Sequence, residues 1–139
     1  MRRFWTAALA LLSALALLVV GSPAANAFGS EVLGCSFDGG TWTANTCDGG
    51  GDGAYHNITF AAHNLSGTYT TSWTVTFGTT VLSTNCNGAT TCTIRVKGSS
   101  IEGRDRTYWA NLKLTQAGQT RTISASALVY GGPDCIVCG

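Results

Sequence analysis

Residues 67–77 carry the feature that most constrains the fold, an alternation between mostly large apolar and small hydroxyl side chains. Small hydroxyl residues occupy positions 70, 72, 74 and 76, and the odd positions between and beside them are Tyr69, Thr71, Trp73, Val75 and Phe77. Because successive side chains of a β-strand point to opposite faces, this segment is predicted to be a strand with one buried and one solvated face. We interpret it as a central strand whose buried face is covered by a second layer of strands.

Residues 1–27 have the features of a secretory signal peptide. Two arginines precede an apolar stretch over residues 7–20, and an A-x-A cleavage motif ends at Ala27. We expect cleavage there, which leaves residues 28–139 as a single secreted, extracellular domain. An uncleaved membrane anchor is the alternative, and it is disfavoured because the apolar stretch is short and lacks a basic flank.

Composition limits the classes of partner. Charged residues make up 11% of the chain, so a charge-driven partner is disfavoured. Removing Arg2 and Arg3 with the signal leaves six basic and seven acidic residues, and no basic field remains that could hold nucleic acid. Threonine, serine and glycine supply the polar surface, as is typical of exposed strand faces and turns. No membrane association is expected after cleavage.

Further strands are predicted wherever the alternation returns. Residues 28–53 are interpreted as an N-terminal strand, a short candidate strand at 41–43 and a flexible glycine-rich loop at 48–53. Residues 81–82 permit one short strand, and no segment of the mature chain has a helical period. The clearest alternating segments are residues 54–63, 92–97, 107–116 and 119–130. The side chains predicted to point inward include Ile58, Phe60, Ile94, Val96, Tyr108, Ala110, Leu112 and Ile123.

The last two segments predict a hairpin with a defined register. A two-residue turn at Ala117 and Gly118 would place both sets of inward side chains on one face. A longer, bulged turn at Gly118 is the alternative, because alanine is not favoured in such a turn. The predicted cross-strand pairs are Gln116 with Gln119, Leu112 with Ile123, Ala110 with Ala125, and Tyr108 with Ala127.

Six cysteines in an exported chain of this size predict a disulfide framework. Cys86 is expected to pair with Cys92, because the intervening Asn87-Gly88 supplies a tight turn. The remaining four allow three connectivities. We favour the local pairing, and the alternative is a crossed arrangement that ties the C-terminal tail to the N-terminal segment. The local pairs are Cys35 with Cys47 and Cys135 with Cys138.

The C-x-x-C spacing of Cys135 and Cys138 also occurs in thiol-disulfide oxidoreductases. In those proteins a helix follows a strand and lowers the pKa of the first thiol. Here the motif ends the sequence after Pro133, and no helical pattern follows. A structural disulfide is therefore favoured over a redox pair.

About seven short strands with regular turns predict an all-β, antiparallel two-sheet sandwich. With Trp73 on the third strand and Asp105 leading into Tyr108 on the sixth, the order resembles an immunoglobulin-like domain. The resemblance implies that Trp73 is the core tryptophan and that Tyr108 occupies the tyrosine-corner position. The short-range disulfides give a looser similarity to the secreted apoproteins of enediyne chromoproteins, which implies carriage of a small apolar ligand. We expect a small secreted bacterial protein.

Trp109 is predicted to point outward, because both of its sequence neighbours point inward. In the hairpin register it faces Ser126, with Leu128 diagonal to it and Tyr130 further along the same outward row. An exposed aromatic ring among Thr, Ser and Asn is suited to stacking against a sugar ring or a protein partner. The alternative is that a loop or the N-terminal segment covers Trp109.

No catalytic or metal site is predicted. His56 and His63 are seven residues apart on one strand, so they point to opposite faces, one near the core and one at the surface. Asp48 and Asp52 lack the partners of a calcium loop and are interpreted as turn residues. We expect a non-catalytic binding module without cofactor, whose partner is a cell-wall glycan or an extracellular protein. A carrier of a small apolar ligand is the first alternative, and a thiol-disulfide oxidoreductase is the least favoured.

Overall fold

The computed structural model describes residues 28–51, 53–76, 81–86, 90–99 and 103–132. The predicted signal peptide, Asp52, Phe77 and the Cys135 and Cys138 pair lie outside these residues. Within the described part of the chain there are nine β-strands in two sheets and no helix, so the predicted all-β sandwich is confirmed. The strands are β1 (Val32–Phe37), β2 (Thr43–Ala44), β3 (Thr46–Gly50), β4 (Tyr55–His63), β5 (Thr70–Thr76), β6 (Val81–Asn85), β7 (Thr91–Lys97), β8 (Arg106–Gln116) and β9 (Gln119–Tyr130).

The first sheet has the strand order β2-β1-β4-β7-β6, and the second has the order β3-β9-β8-β5. Neighbouring strands are antiparallel except β3 and β9, which run parallel. The chain crosses from the first sheet to the second at Asn45, which has a φ of +66°, a conformation that asparagine tolerates. Its N–H donates to the carbonyl of Leu33 (2.9 Å), and its carbonyl accepts from the N–H of Ser126 (2.8 Å). Asn45 is therefore hydrogen-bonded to both sheets.

The core lies between the two sheets and is formed by the side chains that alternation assigned to the inward faces. The inward residues predicted on β4, β7, β8 and β9 are all buried. The β8–β9 register is also confirmed at each predicted pair. Ala117 (φ +49°) and Gly118 (φ +76°) form the two-residue turn, in which both positions are left-handed as the twist of a hairpin favours. The longer bulged turn is not adopted.

Two disulfides within the described residues confirm the pairs expected there. Cys35 and Cys47, whose Cα atoms are 5.7 Å apart, join β1 of the first sheet to β3 of the second. Cys86 and Cys92 close the short connection between β6 and β7. The crossed alternative, in which Cys35 and Cys47 bind the C-terminal tail, is therefore wrong.

β5 is an edge strand of the second sheet, and the prediction that it is central is wrong. Its alternation is as predicted, with Thr71, Trp73 and Val75 inward. Trp73, which the immunoglobulin resemblance implied to be the core tryptophan, packs against the core and is partly buried. Alternation reports which face of a strand is covered and carries no information on how many strands flank it.

The glycine-rich stretch near Asp48 is also different from the prediction. Residues 46–50 form β3 and hydrogen-bond to β9, where a flexible loop was expected. The candidate strand at 41–43 begins only at Thr43, and Trp42 packs over Gly34 instead. A Cβ atom at Gly34 would collide with the Trp42 ring and the Thr43 carbonyl, so glycine is required there.

Hydrogen bonds of the Glu31 carboxylate connect the N-terminal segment to the sandwich. One carboxylate oxygen accepts from the N–H of Gly29 (2.7 Å) and from Arg121 of β9 (3.0 Å), and the other accepts from the Tyr69 hydroxyl (2.9 Å). Burial by itself raises the pKa of the Glu31 carboxyl. The backbone N–H groups, the Tyr69 hydroxyl and the Arg121 charge together outweigh burial, so its pKa is below the ordinary 4.5.

Candidate ligand-binding face

The outer surface of the second sheet, formed by the outward side chains of β3, β9, β8 and β5, carries Trp109 and is named here the Trp109 face. Trp109 points outward from β8 as predicted and is 52% exposed. Its cross-strand neighbours are Ser126 on β9 and Thr76 on β5. None of the described segments covers the indole.

Ser126 lies on the outward row but is only 8% exposed, so it offers little surface to a ligand, and its role in binding stays a prediction. The cause is β3, which pairs with β9 on the side opposite Trp109 and places Thr46 beside Ser126. The Ser126 N–H is also engaged by the carbonyl of Asn45. Thr46, which is exposed, takes the place that the sequence assigned to Ser126.

Leu128 and Tyr130 continue the row toward the end of the sheet. Leu128 is half-buried, and Tyr130 is 40% exposed. The Tyr130 hydroxyl donates to Oδ2 of Asp48 (3.2 Å). This hydrogen bond and the nearby Asp48 charge raise the pKa of Tyr130 above its ordinary 10.0. Asp48, interpreted from the sequence as a turn residue, is therefore an exposed carboxylate on the same face.

Hydroxyl and amide side chains form the rest of the Trp109 face. Asn111 and Lys113 follow Trp109 along β8, and Ser124 donates to Oδ1 of Asn111 (2.6 Å). This surface is therefore polar around one large exposed aromatic ring. The other outward members are Thr70, Ser72, Thr74 and Thr76 on β5, Thr107 and Thr115 on β8, and Thr120 and Thr122 on β9.

An open cleft adjoins the Trp109 face where the chain crosses between the sheets. Its volume is about 260 Å³, which is below the range usual for small-molecule sites. Thr46 and Asp48 belong to both the cleft and the Trp109 face. The lining residues are Phe37, Gly40, Thr41, Thr43, Thr46, Cys47 and Asp48.

The aromatic residues on the outer surface of the first sheet have partners. Tyr55, also 52% exposed, has the Arg95 guanidinium 5.0 Å and the Lys97 ammonium 5.7 Å from its ring centre. Trp42 stacks on His63 with ring centres 4.1 Å apart. Trp109 has no such ring or cation contact among the described residues, and about half of its surface is open to a ligand.

The histidines lie as predicted, on opposite faces of β4. His56 is 8% exposed, and its Nδ1 is 2.8 Å from Oδ2 of Asp38, whereas His63 is exposed beside Trp42. Within the described ranges, no three His, Cys, Asp or Glu side chains are grouped to hold a metal ion. The described residues also include no helix long and apolar enough to cross a membrane.

Comparison of the chain with protein-family models, with curated protein sequences and with solved structures found no match in any of the three.

Proposed function

We propose that the protein is secreted and acts, without catalysis, as a binding module for cell-wall glycans through the Trp109 face. Support for secretion comes from the signal-like residues 1–27 and from the two disulfides, which persist in oxidising compartments. The observation that carries the binding proposal is the exposure of Trp109, which lacks a ring or cation partner in the described part of the chain.

A glycan suits this face for two reasons. A sugar ring has an apolar C–H surface that stacks on a flat indole, and its rim of hydroxyl groups needs hydrogen-bonding partners on either side. Trp109 supplies the flat ring for stacking. Asn111, Asp48 and the Tyr130 hydroxyl supply the hydrogen-bonding partners. From strand geometry, Trp109 and Tyr130 are about 14 Å apart, so an oligosaccharide of several rings is needed to contact both.

A protein partner is the second candidate for the same face. Protein interfaces have an apolar core surrounded by a polar rim. On the Trp109 face the apolar members are few, and Leu128, between Trp109 and Tyr130, is half-buried. This composition favours a glycan.

The carrier and redox alternatives have less support. An apolar ligand would need a largely apolar cavity, whereas the cleft beside β3 is small and is lined mostly by threonines and Asp48. The redox alternative depends on Cys135 and Cys138, which lie outside the described residues, and stays a prediction.

We further propose that the architecture is immunoglobulin-like. The order β1-β4-β7-β6 corresponds to strands A-B-E-D of one immunoglobulin sheet, and β5-β8-β9 corresponds to C-F-G of the other. Ala110 stands two residues after Tyr108, where the immunoglobulin bridge would have its second cysteine. Here Cys35 and Cys47 join the two sheets instead.

The test is the binding of the mature chain, residues 28–139, to immobilised and soluble cell-wall glycans. Trp109→Ala is compared with Tyr55→Ala, a matched control, because both rings are 52% exposed and lie on opposite sheets. We expect Trp109→Ala to weaken binding about ten-fold or more, roughly 1.4 kcal/mol, and Tyr55→Ala to leave it unchanged. Equal affinity of wild type and Trp109→Ala would show that the Trp109 face is not the site.

A further inference from the structure

We propose that the preferred glycan is acidic and N-acetylated, with its carboxylate held by Lys113 and an acetamido carbonyl accepting from Asn111. This inference rests on the proposed function and names the ligand class of the same face.

Trp109, Asn111 and Lys113 occupy consecutive outward positions of β8. Outward positions on one strand are about 7 Å apart, so Lys113 lies about 14 Å from Trp109 along the strand. The strand therefore offers, in a straight line, an aromatic platform, an amide and a cation. An extended oligosaccharide that follows β8 could contact all three with successive rings.

Asn111 presents donors to the ligand. Its Oδ1 accepts from the Ser124 hydroxyl (2.6 Å), which fixes the side-chain amide. The amide N–H groups of Asn111 have no acceptor among the described residues. Asn111 occupies an outward position of β8 and is half-buried. A carbonyl oxygen is the acceptor that an amide donor pairs with most directly, and an N-acetyl group carries one beside a sugar ring.

Lys113 is an exposed cation without a carboxylate partner among the described residues. Its cross-strand neighbours, Ser72 on β5 and Thr122 on β9, are neutral hydroxyl residues. Arg121 on the same hairpin is different, because Glu31 compensates its charge. Asp48 lies at the far end of the face, two strands away. The Lys113 charge is thus available to an anionic group of the ligand.

The probes are two oligosaccharides of equal length that differ in one group. Chitooligosaccharides are neutral polymers of N-acetylglucosamine. Glycan strands of peptidoglycan, freed of peptide, alternate N-acetylglucosamine with N-acetylmuramic acid, whose lactyl group carries a carboxylate. Titration of the mature chain with each oligosaccharide gives the ratio of the two affinities, which measures the preference for the acidic glycan. Repeating the titrations at higher salt shows how much of that preference is electrostatic.

We expect the acidic strand to bind about three- to five-fold more tightly at low salt, as one exposed ion pair provides. Lys113→Gln should abolish this preference, and the control Lys97→Gln, an exposed lysine on the opposite sheet, should retain it. Equal binding of both glycans, or an equal loss in both lysine variants, would overturn the inference. If the inference fails in either of these ways but Trp109→Ala still abolishes glycan binding, the proposed function stands. Binding that is insensitive to Trp109→Ala, or no binding of either probe, overturns both.

Discussion

Replacing Glu31 by glutamine removes one charge from the point where the N-terminal segment meets the second sheet. Glutamine keeps an oxygen that can accept from the Gly29 N–H and from Arg121. Its amide can donate to the Tyr69 hydroxyl, since that hydroxyl also has the Ser66 carbonyl as an acceptor, at 2.9 Å. The hydrogen bonds of Glu31 with Gly29, Arg121 and Tyr69 can therefore be replaced, and what is lost is the charge.

The expected cost at neutral pH is about 1 kcal/mol, the difference between charge-assisted and neutral hydrogen bonds. It does not rise further because the Arg121 side chain is 39% exposed and its attraction to Glu31 is partly screened. Glu31→Ala leaves the Gly29 N–H without its acceptor and removes one of the two acceptors of Arg121, which keeps the Gly29 carbonyl at 2.9 Å. We expect that variant to cost about 3 kcal/mol.

The pH dependence has a definite sign. The folded-state pKa of Glu31 is lowered from the ordinary 4.5, so the carboxylate stabilises the fold fully above that value. This contribution is lost as the pH falls through the lower, folded-state pKa. Glutamine does not titrate, so the gap in free energy of unfolding between wild type and Glu31→Gln should narrow as the pH falls below 4.5.

Urea unfolding followed by tryptophan fluorescence at pH 7 and at pH 3 measures these differences. The expected order of stability at pH 7 is wild type, Glu31→Gln and Glu31→Ala, with a smaller gap between the first two at pH 3 than at pH 7. Equal destabilisation by glutamine and alanine would refute the hydrogen-bond reasoning. A gap that is the same at both pH values would refute the linkage to the Glu31 carboxyl.

Three further variants test other parts of the structure. Ala117→Asn should raise the free energy of unfolding by about 0.5–1 kcal/mol, because asparagine tolerates the left-handed turn; unchanged urea midpoints would contradict this. Asp48→Asn should lower the pKa of Tyr130 toward 10.0, as measured by ultraviolet titration, and an unaltered titration would contradict the hydrogen bond. Replacing both Cys35 and Cys47 by serine should cost about 3 kcal/mol and weaken glycan binding by releasing β3; full retention of stability and binding would show that the bridge is dispensable.

The hairpin of β8 and β9 was the most predictable part of the fold. Both strands alternate without a break between inward and outward side chains. Once a two-residue turn at Ala117 and Gly118 is assumed, every cross-strand pair of the hairpin follows. Trp109 was placed outward by the same logic. The local disulfides were predictable because chain proximity favours them before any tertiary structure is known.

β3 could not be predicted in this way. Its residues near Asp48 include two glycines that give no alternation, and its partner β9 is far away in sequence. Because β3 was not predicted, two features of the site were not predicted either. β3 covers Ser126 and brings Asp48 to the Tyr130 hydroxyl. Pairing between distant strands depends on the packing of the whole sandwich, which local patterns do not contain.

The edge position of β5 was missed for a related reason. The inward row with Trp73 was assigned correctly, but whether a strand is central depends on which strands flank it. A run of hydroxyl residues on the outward side was interpreted only as a solvated surface. In the structure that run lies beside the outward row of β8 and extends the polar part of the Trp109 face.

Amide chemical-shift mapping of the ¹⁵N-labelled mature chain, titrated with peptidoglycan glycan strands, tests most directly where a ligand binds. If the Trp109 face is the site, the perturbed signals will include the Trp109 indole N–H, the Asn111 side-chain amide and the Lys113 backbone. Shifts confined to Tyr55 and Arg95 on the opposite sheet, or the absence of any shift, would contradict it.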